Sequence, residues 1–347
     1  MTAPTEQQAA QVIVDLLGEL FDCSTADVQL RSTTGAKRYD FAISTPSRRF
    51  VAEYKSNAST AAIADAVEMF AATKSNETPI VIVPYMGEVG QRLCDQARIS
   101  WMDLSGNAKI VANDLKIWIK GRPNKFVQRG RPANVFAPKS SRIARQLLLV
   151  PNVYQSQADL ARKTELGDGY ISKIVRRLRD QRFLEQDEQG AVRPRTPDVL
   201  LDAWRQVYDF DRHRIIKGHV SERTGEGLLA KVTTTLKRKK AEYHLTGLGA
   251  AWLYTEFANF RLVTIYLKSM PTRSLLTELE FAEEERGANL WLVVPNDDGV
   301  FHGSRDENKI KCVHPVQAYL DLKAHPERAR DAAKELRQRQ LDWQRDE

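Results

Sequence analysis

Cysteine is scarce. The three in 347 residues, Cys23, Cys94 and Cys312, stand far apart and form no CxxC pair. That excludes a disulfide framework and a zinc site built from cysteine alone, and they read as reduced thiols of a cytoplasmic protein. Long apolar runs are missing too: no window holds the ~18 uninterrupted apolar residues that a membrane span needs. The start, MTAPTEQQAAQ, has no basic region leading into an apolar core, so no secretory signal is expected. Acid is absent from Lys120 to Arg145, where eight Lys or Arg occur without one Asp or Glu, more positive charge than the chain's net +7. A basic excess favours a polyanionic partner.

That stretch, KGRPNKFVQRGRPANVFAPKSSRIAR, also holds three prolines and two glycines, which argue against a regular element until its last residues. It marks a boundary. Either it is a solvated linker, or it lies along phosphates, with Arg129 and Arg131 displacing counterions.

Before it the pattern is mixed α/β. EQQAAQVIVDLLGELF carries apolar residues at helical spacing, and VQLRST, YDFAIS and RFVAEYK read as short strands. STAAIADAVEMFAATKS reads as a helix, PIVIVPY as a buried strand, GEVGQRLCDQARI as a helix, and SWMDLSGNAKIV with LKIWIK as a closing strand pair. The expected fold is a sandwich around a mixed sheet. Within it, Asp40 opens one strand, while Glu53 and Lys55 close the next. This order, with the acid and the ExK triplet, resembles the PD-(D/E)xK, or restriction-endonuclease-like, superfamily over about residues 8 to 120. The resemblance implies Asp40, Glu53 and Lys55 as catalytic residues and Asp40 and Glu53 as ligands of Mg²⁺, with Glu19 or Asp15 adding one. Two carboxylates suit a hard cation, which lowers the pKa of bound water and neutralises charge growing on phosphate. One departure is that AAIADAVEMFAA lacks the Gln or Lys found there in some active members.

Residues 139 to 195 read as three helices and a hairpin, a winged helix-turn-helix. Ser156 is an expected N-cap and Gly190 the hairpin tip. Ile171, Ile174, Val175 and Leu178 form a buried stripe, which leaves Tyr170, Ser172, Lys173, Arg176 and Arg177 on the other face of the helix. Such a helix has an apolar back to seat it and donors in front for base edges and phosphates. Arg193 and Arg195, at the base of the wing, suit neighbouring phosphates or the minor groove. The segment Lys139–Arg195 carries 12 basic against 7 acidic residues. A protein-contact role with solvated arginines is the alternative.

A helical connector, TPDVLLDAWRQVYDFDRHRII, leads to a third section containing LTGLGAAWLY, WLVVPN and VHPVQAYLDL. From the winged helix onward, over roughly 139 to 345, these residues resemble the AbiEi-type antitoxins of type IV toxin–antitoxin systems and related transcriptional regulators. There a winged helix precedes a domain like a reduced nucleotidyltransferase. Catalysis in that domain is not expected. Thr246-Gly247-Leu248-Gly249 has no serine after its first glycine, and RLVTIYLKS offers no carboxylate for a metal. His244, His302 and His314 are too dispersed to suggest a metal cluster.

The expected architecture is α/β and α+β multidomain: a nuclease-like domain (1–120), a basic linker (121–138), a winged helix (139–197), a helical connector (198–219) and an interaction domain (220–347). Two functions follow. In the first, favoured because it draws on some two hundred residues of regulator-like order, the chain is a cytoplasmic, sequence-specific binder of double-stranded DNA. It needs no cofactor, works as a homodimer and can take a toxin or other protein partner through its C-terminal domain. In the second it is a Mg²⁺-dependent endonuclease that the winged helix delivers to its target.

Overall fold

The computed structural model describes residues 4–32, 39–71, 77–112, 115–126, 135–257 and 259–343. The chain forms two compact units, residues 1–133 with 177–183, and residues 134–176 with 184–347.

In the first unit α1 (Glu6–Phe21) starts at a capping box: the Thr5 side chain accepts from the Gln8 N–H, and the Gln8 side chain reaches back to the Thr5 N–H. Then follow β1 (Gln29–Ser32), β2 (Phe41–Ser44), β3 (Arg49–Tyr54), α2 (Thr60–Ala71), β4 (Thr78–Val83), α3 (Glu88–Gln96), β5 (Ser100–Asp103), β6 (Ala108–Ala112) and β7 (Leu115–Ile119). The strands make one sheet in chain order, parallel at β3–β4 and β4–β5 and antiparallel elsewhere. Strand alternation splits the core. Phe41, Ile43, Phe50, Ile80, Ile82 and Met102 pack with Ile13 and Leu17 of α1. Val51, Val81, Val83 and Trp101 pack on the other face with Ile63 and Phe70 of α2 and Cys94 of α3.

The second unit opens with α4 (Ser141–Leu149), α5 (Gln157–Thr164) and α6 (Asp168–Asp180), of which it holds the residues up to Arg176, then β8 (Leu184–Gln186) paired antiparallel with β9 (Val192–Pro194). The Ser156 side chain caps α5 by accepting from the Asp159 N–H, and Gly190 turns the hairpin at φ +87°. Next come α7 (Pro197–Val207), β10 (Arg214–His219), α8 (Gly225–Arg238), β11 (Tyr243–Thr246), α9 (Gly247–Thr255), β12 (Val263–Leu267) and α10 (Arg273–Glu278). The chain ends with β13 (Ala282–Glu283), β14 (Leu290–Val294), β15 (Arg305–Glu307), β16 (Ile310–Cys312), α11 (Pro315–Asp321) and α12 (Ala329–Gln340). A second mixed sheet has the order β13-β10-β14-β12-β11-β16-β15. Here the structure departs from the expected helical connector. Residues 198 to 207 are helical, but Arg214–His219 is a strand between β13 and β14, helped by two adjacent β-branched isoleucines.

Among the described residues no helix is long and apolar enough to cross a membrane.

Candidate nucleic-acid interface and acidic pair

The face of α6 follows from its sequence. Ile171, Ile174, Val175 and Leu178 are all buried. Tyr170, Ser172, Lys173 and Arg176 are exposed, and Arg177 is half-buried. One helix therefore presents a phenol, a hydroxyl and two cations to solvent on a seated backbone. The Lys139 ammonium stands 5.7 Å from the centroid of the Tyr170 ring and extends the positive surface.

The hairpin arginines differ from one another. The Arg193 guanidinium donates to Glu185 Oε1 at 2.6 Å and stacks 4.5 Å from the Tyr154 ring centroid, so β8, β9 and the turn before α5 hold it in place. Its hydrogen bond to Glu185 raises its pKa further. Arg195 is exposed. Arg129 and Arg131 lie outside the described residues.

Two cations counted in the acid-free stretch turn inward. Arg142 makes a two-pronged pair with Asp297, at 2.7 and 3.0 Å, and Arg145 is 2 % exposed. Arg145 belongs to the core of its unit, and Arg142, half-buried, is held by Asp297, so neither is a free phosphate-facing cation.

The acidic pair is built by a hairpin. Phe41 pairs with Ala52, and the Asp40 N–H donates to the Ala52 carbonyl, which sets Asp40 beside Glu53 on the neighbouring strand. Asp40 Oδ2 accepts from the Tyr54 N–H at 2.9 Å. Lys55 Nζ lies 2.5 Å from Glu53 Oε1, as expected of residues two apart on one strand. Glu53 is 7 % exposed, and its Oε2 is buried with no hydrogen-bond partner. Burial raises the Glu53 pKa, and the Asp40 charge adds to this, while the Lys55 hydrogen bond works against it. The three residues are thus together. Glu19 is not with them: its exposed carboxylate lies 3.7 Å from Arg122. Asp15 accepts from the Gln11 amide. Among the described residues no group of three or more His, Cys, Asp or Glu is placed to hold a metal. What fits a hard cation is therefore a pair of carboxylates with one oxygen unclaimed, a partial set that solvent and phosphate oxygens would have to complete.

The sequence reading missed two buried carboxylates. Asp103, fully buried, accepts from the backbone of Met86 and from the backbone and side chain of Asn107. The turn between them needs Gly106 at φ +98°. Asp321, also fully buried, accepts from Tyr208, Thr246, Tyr266 and Gln317, and burial lifts its pKa to about 6. The only sequence signal for Asp103 is the compact DLSGN turn at a strand end. Asp321 has none, since three of its four partners come from distant segments. The scattered histidines are structural. His302 meets Gln146 at 2.7 Å, His314 accepts from the Val316 N–H at the start of α11, and His244 packs 4.9 Å from the Phe301 ring.

Compared with known proteins, residues 193–342 match a family described as "Transcriptional regulator, AbiEi antitoxin, Type IV TA system". That span is less than half of the chain. No curated protein and no solved structure matches it.

Proposed function

We propose that this chain is a sequence-specific double-stranded DNA-binding protein, a transcriptional regulator of antitoxin type acting in the cytoplasm. In this reading α4 to α6 with the β8–β9 hairpin form a winged helix-turn-helix. Helix α6 enters the major groove with Tyr170, Ser172, Lys173, Arg176 and Arg177, and Arg193 and Arg195 flank it on phosphates. The observation that carries the reading is the division of α6 into a fully buried apolar stripe and an exposed cationic face. The family match over 193–342 supports the regulatory class. The C-terminal part, like a reduced nucleotidyltransferase, serves protein contacts with a second copy or a toxin. Arg129 and Arg131 add phosphate contacts. The N-terminal unit acts as a nuclease-like scaffold. The test is a gel-shift comparison of wild type with Lys173→Ala/Arg176→Ala on genomic fragments selected by the wild type. Each lost base-edge contact should cost about 1–3 kcal/mol, with the melting temperature unchanged. Equal affinity would remove α6 as the reader.

The second reading is a Mg²⁺-dependent endonuclease, favoured by the convergence of Asp40, Glu53 and Lys55. Asp40 and Glu53 would hold the cation, which would supply an acidified water and neutralise phosphate charge. Lys55 would orient that water. Its test is plasmid cleavage with Mg²⁺ or Mn²⁺, abolished in Glu53→Ala.

A further inference from the structure

Arg145 is the least expected side chain in the second unit. It sits on α4, with its guanidinium 4.9 Å from the Trp204 ring centroid and one nitrogen donating to the Gln317 side chain. Nε and Nη1 are buried and have no hydrogen-bond partner among the described residues. Among the described residues no carboxylate is bonded to it. Asp297 is held by Arg142, and Asp321, linked to Arg145 only through Gln317, is already surrounded by hydroxyl and amide donors. A buried cation with donors unmet is costly, and a fold keeps one only where something offsets it.

The same side chain lines a small cleft that opens to solvent. Trp204 and Phe136, stacked at 6.2 Å and nearly parallel, form an apolar wall. Tyr208, His213 and Asn296 add polar edges, and Arg212 stands at the exposed rim. His213 is held neutral: its Nδ1 accepts from the Asn296 N–H, and burial with the nearby Arg145 charge lowers its pKa to about 4. Two acids also line the cleft. Asp297 is neutralised by Arg142, and Asp209 lies 4.0 Å from Arg212 and caps the Asp211 N–H. The guanidinium fork has the shape that recognises an oxyanion through two donors.

We propose that this cleft is a binding site for a small oxyanion-bearing molecule, a phosphate or a carboxylate, anchored by Arg145, with Arg212 at its mouth and its apolar part against Trp204 and Phe136. The site goes beyond the DNA-binding reading and does not depend on it.

The test is thermal unfolding of the full chain in inorganic phosphate or in acetate, each against chloride at equal ionic strength. The two arms separate phosphate from carboxylate recognition. At a hundredfold excess over Kd the preferred anion should raise the wild-type Tm by roughly 5 °C or more over chloride. Arg145→Met should lose that increment. Should Arg145→Met fail to fold, Arg212→Gln at the rim decides. It should keep the wild-type Tm in chloride while weakening the anion at least fivefold in a titration followed by Tm. Lys173→Ala/Arg176→Ala should keep the full anion response, so that a failure of DNA reading leaves this result standing. Equal responses of wild type and Arg145→Met to both anions, an unchanged affinity in Arg212→Gln, or loss of the response in the α6 variant would overturn the assignment.

Discussion

Acid should unfold the second unit near pH 5. Four of its histidines are buried at the cost of their charge. Burial lowers His213, His244 and His325 from 6.5 to about 4, and His314 to about 3. A base with a depressed folded pKa is held neutral, so its share of stability is complete above 6.5 and drains away as pH falls toward 4. At pH 5 each such imidazole has cost the fold about 2 kcal/mol, and the four together on the order of 8 kcal/mol. Asp321 works in the opposite direction. Its carboxyl, raised to about 6, is protonated in the fold before it would be in the unfolded chain, which returns about 1 kcal/mol on acidification to pH 5. The balance approaches the whole ~5–15 kcal/mol of an ordinary domain.

The assay is a series of melts from pH 7.5 to 4.5 followed by tryptophan fluorescence, with His325→Gln beside wild type. His325 bridges Thr264 and the Asp321 carbonyl, contacts that an amide can keep in part. The variant should therefore lose about 2 kcal/mol of the pH dependence. A transition for the second unit at pH 5 within two or so degrees of that at pH 7.5, or a His325→Gln profile parallel to wild type, would refute the reasoning.

Asp40→Asn should be neutral or stabilising by under about 1 kcal/mol, because it relieves the repulsion at Glu53 while leaving an oxygen for the Tyr54 N–H; Mg²⁺ should not move the wild-type Tm, and a metal-induced rise that the variant lacks would promote the nuclease reading. Arg337→Met should destabilise the fold by about 3 kcal/mol in urea unfolding, since it removes the half-buried guanidinium that ties the last turn of α12 to both Asp198 and Asp202 on α7; a loss under about 1 kcal/mol would mean that the pairs are screened by solvent. Arg193→Ala should weaken DNA binding and also lower Tm, because its pairing with Glu185 fixes the hairpin; loss of binding alone would make it a pure DNA contact.

What could be read from the sequence was local. The α6 stripe is a periodic signal within eight residues, and the Asp40–Glu53 pairing follows from one hairpin with its turn at Pro46. The helices and strands of the first unit alternate with polar turns, so their order was legible as well, except that SWMDLSGNAKIV, read as one strand, holds two, β5 and β6, on either side of the Gly106 turn. Strand β10 was not, because RIIKGH follows a helix without a turn signal strong enough to separate it. Arg142 and Arg145 were misjudged for a different reason. Composition counts a cation as solvated unless its partner is nearby, and theirs are 155 and 172 residues away.

The span of the family match bears on which test comes first. It begins at Arg193 and so leaves out Tyr170, Ser172, Lys173, Arg176 and Arg177. What it covers includes β10 to β16, α11 and α12, where Asp321, His325 and Arg337 tie distant segments through buried polar contacts. Such networks constrain many positions at once, and a family resemblance can persist there whatever DNA the chain reads. The match therefore bears on the class of protein and is silent on the target. In the proposed reading, target choice rests on the exposed face of α6, where a side chain can change without disturbing the buried stripe behind it. Exchanging Lys173 for Gln should consequently shift the selected sequence toward adenine at one position, with no change in stability. Selection from a random duplex pool that returns the same site for both proteins would mean that Lys173 holds phosphate and that the specificity is read by another residue of α6.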